Sequence, residues 1–299
     1  MTPAHPTGPA ESARTTAAGD PATTVLNAAG RPVARYSVRP DVAARLSPRP
    51  YLHPVTTLAG TVVTESGPAD HPHHLGVSVA VPDVDGHNFW GGRTYVRDRG
   101  PVERADHGVQ RHTAFPLRDG DGFVEELRWT TAAGDDLLRE RRTVAALELT
   151  GTAWALDFTF ALTNTGDRTL TIGSPATNGR PGAAYGGFFW RAPKEPGAPV
   201  VRTPTAEGED AVHGTRADWL SLSGDGWTLV FAGVTAATRR DPWFVRAGEY
   251  PGVGSSLAHG ERLAVAAGST LVRRVVTVVA DGALDRDGAA ALVRRAVGA

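Results

Sequence analysis

The chain of 299 residues contains no cysteine. It therefore has no disulfide bond, no thiolate nucleophile and no thiolate-bound metal. Long apolar runs are also missing: no stretch approaches the roughly 18 apolar residues of a membrane-spanning helix, so we expect no membrane partner. Basic and acidic residues are nearly balanced, at 31 and 32, and are interspersed. The concentrated basic face that nucleic-acid binding requires is absent, and we expect no nucleic-acid partner.

Common cofactor and hydrolase motifs are absent as well. The sequence has no GxGxxG, no Walker phosphate loop and no nucleophile elbow, so neither a nucleotide cofactor nor a serine-triad hydrolase is expected. The first 24 residues are rich in Pro, Ala, Thr and Gly and lack the cationic start and apolar core of a secretory signal. We predict a disordered leader over residues 1–24, a single domain over 25–299, and a cytoplasmic location.

From about residue 25 to 280 the dominant pattern is an alternation of apolar with small or polar residues. In the segment 154–163 every second side chain is large and apolar, which is typical of a strand with one face in a core. Turn-forming sequences separate this segment from others with a strand pattern, namely 123–130, 143–149, 227–234 and 271–280. The sequence therefore predicts an all-β fold, a large antiparallel β-sandwich with a short C-terminal helix over 287–296. Residues 175–215 are irregular and predict a long loop over its rim.

Side chains that carry chemistry concentrate in the segment Asp70-His71-Pro72-His73-His74. Imidazole, with an ordinary pKa of about 6.5, exchanges protons near neutral pH and is the commonest metal ligand. If the segment is extended, His71 and His73 lie on one face and His74 on the other. His53 is expected on a neighbouring strand.

Two chemistries are compatible with these residues. In acid/base catalysis on a sugar, His71 and His74 would share the roles of base and acid while Asp70 or Glu249 fixes a tautomer. In a metal site, His53, His71 and either His73 or His74 would hold one divalent metal with a carboxylate. The plain alternative is that the histidines form ordinary hydrogen bonds at the rim of the sandwich.

Candidate binding residues follow the histidines. The indole of Trp90 is suited to stack on a sugar and the amide of Asn88 to bind its hydroxyls, with Trp90 as a core residue the alternative. Arginine adds a fork of donors suited to carboxylates, phosphates and diols, unless it pairs with a neighbouring acid. We predict substrate contacts from His53 and from the later residues His213, Arg216, Trp243, Arg246 and Tyr250. Adjacent carboxylates such as Glu125 and Glu126 are predicted to be solvated.

Several short segments occur together in a familiar order: Arg49-Pro50-Tyr51, Asp70-His71-Pro72-His73-His74, Asp83-Val84-Asp85-Gly86, Asn88-Phe89-Trp90-Gly91, Gly186-Gly187-Phe188-Phe189-Trp190-Arg191, Arg216-Ala217-Asp218-Trp219 and Pro242-Trp243-Phe244-Val245-Arg246. With them, residues 48–280 resemble a bacterial domain-of-unknown-function family labelled "methane oxygenase PmoA". The resemblance implies an all-β fold of the galactose-mutarotase supersandwich kind and a connection with sugar metabolism. The chain departs from the family at Phe244, where many members have a histidine.

Residues and resemblance together predict a carbohydrate-active enzyme. Asp70, His71, His73 and His74 would carry the acid/base or metal-assisted chemistry. The reaction would be an isomerisation, epimerisation, hydrolysis or elimination on a sugar or glycoside. Two alternatives stay open: a non-catalytic sugar-binding module, and the metal-dependent oxygenase that the family label suggests. One divalent metal is the cofactor considered, and the sequence leaves the oligomeric state open.

Overall fold

The computed structural model describes residues 22–298 and consists mostly of strands. Alternating apolar side chains form the long strands, and Gly- and Asp-rich turns end them. In chain order the strands are β1 (Thr23–Ala28), β2 (Arg31–Ser37), β3 (Tyr51–Val55), β4 (Val77–Ala80), β5 (Asp83–Val84), β6 (Thr94–Val96), β7 (Gly100–Val102), β8 (Val109–Arg118), β9 (Gly122–Thr130), β10 (Asp136–Thr150), β11 (Ala153–Asn164), β12 (Leu170–Gly173), β13 (Gly187–Arg191), β14 (Val200–Arg202), β15 (Leu220–Gly224), β16 (Trp227–Gly233), β17 (Trp243–Arg246), β18 (Gly252–Ser255), β19 (Leu263–Val265) and β20 (Thr270–Asp281). The helices are α1 (Glu209–Val212) and α2 (Arg286–Val297), with 3-10 turns at Ala44–Leu46 and Thr238–Arg240.

Two antiparallel sheets form the body of the molecule. The first has seven strands in the order β1-β2-β3-β4-β13-β18-β17, and the second has eight in the order β14-β15-β16-β20-β11-β10-β9-β8. A three-stranded sheet, β19-β12-β5, and the hairpin β6-β7 complete the fold. The prediction of an all-β fold with large antiparallel sheets and one C-terminal helix is confirmed.

Aromatic side chains join the inner faces of the two large sheets. Phe188 of β13 lies 5.5 Å from Phe158 of β11 and 6.4 Å from Phe231 of β16, measured between ring centroids. Trp190 of β13 also contacts Phe231, at 5.6 Å. All four rings are buried, and each such side chain contributes about 1.5–3 kcal/mol through removal from water. The core therefore lies between the sheets.

A fully buried ionic network crosses this core. Arg142 of β10 donates from Nε to Oε1 of Glu140 at 2.7 Å and from Nη1 to the hydroxyl of Tyr36 on β2 at 2.8 Å. The same hydroxyl donates to the carboxylate of Glu125 on β9. The prediction that Glu125 is solvated is wrong, whereas its neighbour Glu126 is exposed at 42%. Successive residues of a strand face opposite sides, so only one of the pair points outward.

The prediction of one long loop over residues 175–215 is wrong. The segment contains β13, β14 and α1, and β13 lies in the middle of the seven-stranded sheet with all five residues buried. A strand covered on both faces is a continuous apolar run, so alternation does not reveal it.

At the two ends of the described region the structure agrees more closely with the prediction from the sequence. Helix α2 covers the predicted residues 287–296, and its cap Asp285 accepts a hydrogen bond from the N–H of Gly288 at 2.8 Å. Of the predicted leader, residues 1–21 lie outside the described residues, while Thr23 and Thr24 already belong to β1. Within residues 22–298, no helix has the length and apolar character needed to span a membrane.

Candidate functional site

A cavity of about 280 Å³ lies where the histidine segment, the turn after Trp90 and the chain around β17 meet. The three histidines His71, His73 and His74 line it. Its aromatic lining consists of Trp90, Tyr185, Phe244 and Tyr250. Its charged lining consists of Asp70, Glu249, Arg93, Arg180 and Arg246.

A tight turn, rather than a strand, brings the three histidines together. The N–H of His74 donates to the carbonyl of His71 at 2.9 Å, and Pro72 between them has the fixed φ that such turns favour. The rings of His71 and His74 stack with centroids 4.6 Å apart, and His73 meets His74 edge-on at 4.8 Å. The extended conformation that would separate His74 from His71 and His73 is therefore wrong.

His71 is paired with an acid. Its Nδ1 is buried and lies 3.2 Å from Oδ2 of Asp70, at ion-pair distance though out of hydrogen-bond alignment. Burial acts to raise the pKa of Asp70, but His71 and then Arg191 outweigh it and hold the pKa below its ordinary value. Asp70 is thus a carboxylate at neutral pH, and it faces one nitrogen of the imidazole.

His73 and His74 are held neutral. Burial, followed by the charge of Arg49, lowers the pKa of His73 to about 3. Burial also lowers the pKa of His74 far below its ordinary value, and the neighbouring histidines and Arg191 act in the same direction. These two rings therefore carry no charge at physiological pH.

Arg191 determines which nitrogen of His74 carries the proton. The buried guanidinium of Arg191 binds Oε2 of Glu65 through Nε and Nη2, at 3.0 and 2.7 Å. Its Nη1 lies 3.4 Å from Nδ1 of His74. Because a guanidinium only donates, Nδ1 of His74 accepts and the single proton of the neutral ring sits on Nε2.

Arg49 holds the backbone of the site in place. This buried side chain donates from Nη2 to the carbonyl of His73 at 2.7 Å and from Nη1 to the carbonyl of Trp90 at 3.0 Å. Its Nε donates to the hydroxyl of Ser78 on β4 at 3.1 Å. One guanidinium therefore ties the histidine turn and the turn after Trp90 to the seven-stranded sheet.

Aromatic rings form a continuous wall from the histidines to β17. His74 meets Trp90 at 5.6 Å, Trp90 meets Tyr185 at 4.5 Å, and Tyr185 meets Phe244 at 5.6 Å, all between ring centroids. Tyr250 contacts His74 from another side at 4.9 Å. This wall offers apolar faces to a ligand beside the polar histidines.

Asn88 shapes the site from behind instead of lining it. Its buried Oδ1 accepts from the N–H groups of Trp90 and Gly91, both at 2.8 Å, and its Nδ2 donates to Thr94 at 2.9 Å. Gly91 has a φ of +103°, and a Cβ there would lie 2.7 Å from Cβ of His73. The glycine is therefore required for His73 to approach this turn.

Of the later predicted residues, Arg246 and Tyr250 line the cavity and three do not. Trp243 lies in the main core, and its indole donates to the carbonyl of Ala217 at 3.1 Å. Arg216 is exposed and donates to a backbone carbonyl at 2.6 Å. His213 supports the cavity wall from behind, because its Nε2 binds the carbonyl of Gly182 at 2.8 Å.

The predicted metal ligands do not share a common centre. A metal lies in the plane of each imidazole that binds it, whereas the rings of His71 and His74 are stacked, with planes only 21° apart. His53 contacts the hydroxyl of Thr64 at 3.0 Å and is outside the cavity lining. Among residues 22–298, no group of three or more His, Asp or Glu side chains is arranged to hold a metal ion.

Sequence reasoning missed several arginines that build the site, among them Arg49, Arg180 and Arg191. Arg49 and Arg191 appear only as members of quoted motifs, and nothing local marks them as buried cations. Tyr185 and Arg180 fall in the segment interpreted as a loop. Tyr185 precedes two glycines in the sequence, and because a glycine pair lets a ligand approach the backbone, this residue does carry a local signal.

Fold and site together define a β-sandwich protein with a cavity lined by histidines, aromatic rings and arginines. The chain belongs to a family described as a family of unknown function (DUF6807), whose model matches residues 23–294. The match spans both large sheets and all the cavity-lining residues. No curated protein matches the chain. Membership in a domain family of unknown function is confirmed, and the methane-oxygenase label forms no part of this match.

Proposed function

We propose that the protein is an enzyme that moves protons on a sugar, or on a similar polyhydroxylated molecule, within this cavity. One observation carries the proposal: His71 beside a carboxylate and His74 beside a guanidinium line the same cavity. Proton transfer on a substrate needs a base and a group that stabilises the charge left when the proton moves, and the two histidines have surroundings suited to these different roles. Mutarotation, isomerisation and epimerisation are among the reactions that use such groups, as are hydrolysis and elimination.

His71 is the base in this proposal. Its Nδ1 faces Asp70, so Nε2 is the nitrogen left for a substrate. When Nε2 takes a proton, the carboxylate of Asp70 stabilises the imidazolium that forms, and the imidazolium then returns a proton to the substrate and restores the neutral base. A positioned base of this kind contributes about 10²–10⁴-fold to a rate.

His74 is the hydrogen-bond donor. Arg191 leaves its proton on Nε2, and the low pKa of the ring prevents it from becoming a cation. A neutral, pre-oriented N–H stabilises negative charge that develops on a substrate oxygen without first having to be reorganised.

The cavity supports a substrate of monosaccharide size. Its volume of about 280 Å³ lies at the small end of ligand pockets. Aromatic faces suit the C–H face of a sugar ring, and polar groups suit its hydroxyls. The same wall equally suits the second candidate, a sugar-binding protein without catalysis, in which the histidines only contact the ligand.

The test is NMR spectroscopy in D₂O on a panel of aldoses, ketoses and uronates. Deuterium incorporation from solvent reports isomerisation or epimerisation, and exchange between anomers reports mutarotation. We expect His71→Asn to lower turnover by at least about 100-fold while ligand affinity stays within a few-fold. His87→Asn, outside the cavity lining, is the matched control and should retain the rate.

The outcomes separate the two candidates. If the His71→Asn variant turns over substrate as fast as the wild type does, the assignment of His71 as the base is refuted. Saturable sugar binding by the wild type with no turnover anywhere on the panel would refute the enzyme and support the binding protein. Circular dichroism and thermal unfolding show whether each variant is folded.

A further inference from the structure

Three arginines line the cavity, and one of them is held rigidly. Arg246 donates from Nη1 to the carbonyl of Val245 at 3.0 Å and from Nη2 to the carbonyl of Gly182 at 3.1 Å. Its Cζ lies 4.8 Å from the ring centroid of Phe244. These contacts fix the guanidinium at the end of the aromatic wall, so little side-chain entropy is lost when it binds a ligand.

One carboxylate is paired with these arginines. Glu209 lies at ion-pair distance from Arg246, with 3.6 Å between Oε1 and Nη1, and its other oxygen accepts from two backbone N–H groups at 2.7 and 3.0 Å. Arg180 has no carboxylate of residues 22–298 at ion-pair distance. Asp70 is engaged with His71, which leaves the exposed Glu249 as the other acid of the cavity.

Positive potential also reaches the histidines from behind. Arg49 donates only to carbonyls and to the hydroxyl of Ser78, so its charge has no acid as a direct partner. Arg49 and Arg191 are both among the causes that keep His73 and His74 neutral. The cavity therefore has cations on two sides with the uncharged rings of His73 and His74 between them, and its lining carries three arginines against the two carboxylates of Asp70 and Glu249.

We propose that the ligand of this cavity is an organic anion whose carboxylate or phosphate binds Arg180 and Arg246, with its polyhydroxylated part against the histidines. The placement of the hydroxyls rests on the proposed function, whereas anion binding by the arginines does not depend on it. Charge-assisted hydrogen bonds from arginine to a carboxylate or phosphate are about twice as strong as neutral ones.

Calorimetric titration with matched ligands tests this proposal. The probes are glucuronate and galacturonate, glucose 6-phosphate and galactose 6-phosphate, and inorganic phosphate, each compared with the neutral glucose or galactose at low ionic strength. We expect at least one anion to bind about 10- to 100-fold more tightly than its neutral counterpart. Preference between uronates and sugar phosphates identifies the source of the charge.

Variants connect the binding to the two arginines. Arg180→Gln and Arg246→Gln should each weaken anion binding about tenfold or more and leave neutral-sugar binding within a few-fold. Arg246→Lys keeps the charge without the fork and should fall between the wild type and Arg246→Gln. Arg139→Gln, an exposed site on β10, is the control and should bind as the wild type does.

Several results would overturn the proposal. They are the absence of saturable binding by every anion, equal affinity for neutral and anionic partners, and anion binding that survives both Gln variants. Anion binding that depends on the arginines but leads to no turnover would refute the proposed enzyme and leave this inference standing. Salt titration adds a check, because affinity carried by these charges decreases as ionic strength rises.

Discussion

Acid should destabilise this protein through His73 and His74 in particular. A histidine in the unfolded chain takes up a proton near pH 6.5, whereas in the folded protein His73 does so at a pKa of about 3 and His74 at a far lower pH than usual. Below pH 6.5 the unfolded state therefore binds more protons than the folded state. The free energy of unfolding must then fall as the pH falls.

The magnitude at pH 5 follows from the unfolded pKa alone, because both folded pKa values lie below 5. The gap between 6.5 and 5 corresponds to about 2 kcal/mol for each histidine, at about 1.36 kcal/mol per pH unit. The two rings together account for about 4 kcal/mol. This is a large share of the roughly 5–15 kcal/mol by which folded domains are stable.

Urea unfolding at pH 7.5, 6.5, 5.5 and 5.0 measures this effect in the wild type and in His73→Asn/His74→Asn. Carboxylates and other histidines titrate in both proteins, so the difference between the two curves isolates the pair. We expect the wild type to lose about 4 kcal/mol more than the double variant between pH 7.5 and 5. Parallel curves, or ring signals of His73 and His74 that titrate near pH 6.5 in NMR spectra, would refute the neutral assignment.

Three further changes test the framework around the site. Arg142→Leu leaves buried Glu140 without its cationic partner and should lower the free energy of unfolding, measured in urea, by about 3–5 kcal/mol. Arg141 lies on the same strand but is largely exposed, so Arg141→Leu should lower it by less than about 1 kcal/mol. Gly91→Ala places a Cβ 2.6 Å from a backbone oxygen at φ +103°, and we expect it to lower the free energy of unfolding by about 2–4 kcal/mol. Gly86→Ala is the control, because its φ is +90° but nothing lies within 4 Å of the new Cβ. It measures the backbone strain alone and should lower the free energy of unfolding by only about 1 kcal/mol. Asp285→Ala removes the cap of α2 and should lower stability by about 1 kcal/mol, measured by thermal unfolding.

The fold was predictable where one face of a strand is solvated. Alternation identified 154–163 and its neighbours because small or polar residues mark the outer face of β11. It failed for β13, since Gly187–Arg191 is covered on both sides and shows no period. The prediction for Glu125 was wrong because it was made from charge: this carboxylate lies on the inner face of β9, where it accepts from Tyr36, which is far away in the sequence.

The site was predictable in its residue types but not in its electrostatics. The cluster of histidines, Trp90, Arg246 and Tyr250 can be found from local composition, and all of these residues line the cavity. Their protonation cannot be found in this way, because both rings are neutral mainly through burial in the folded protein, to which the charges of Arg49 and of Arg191, 117 positions from His74, add. The turn at Pro72 could not be predicted from local composition either. An extended segment would have placed His74 on the opposite face, away from His71. The different surroundings of His71 and His74, on which the proposed chemistry rests, thus arise from contacts that the tertiary fold creates between distant segments.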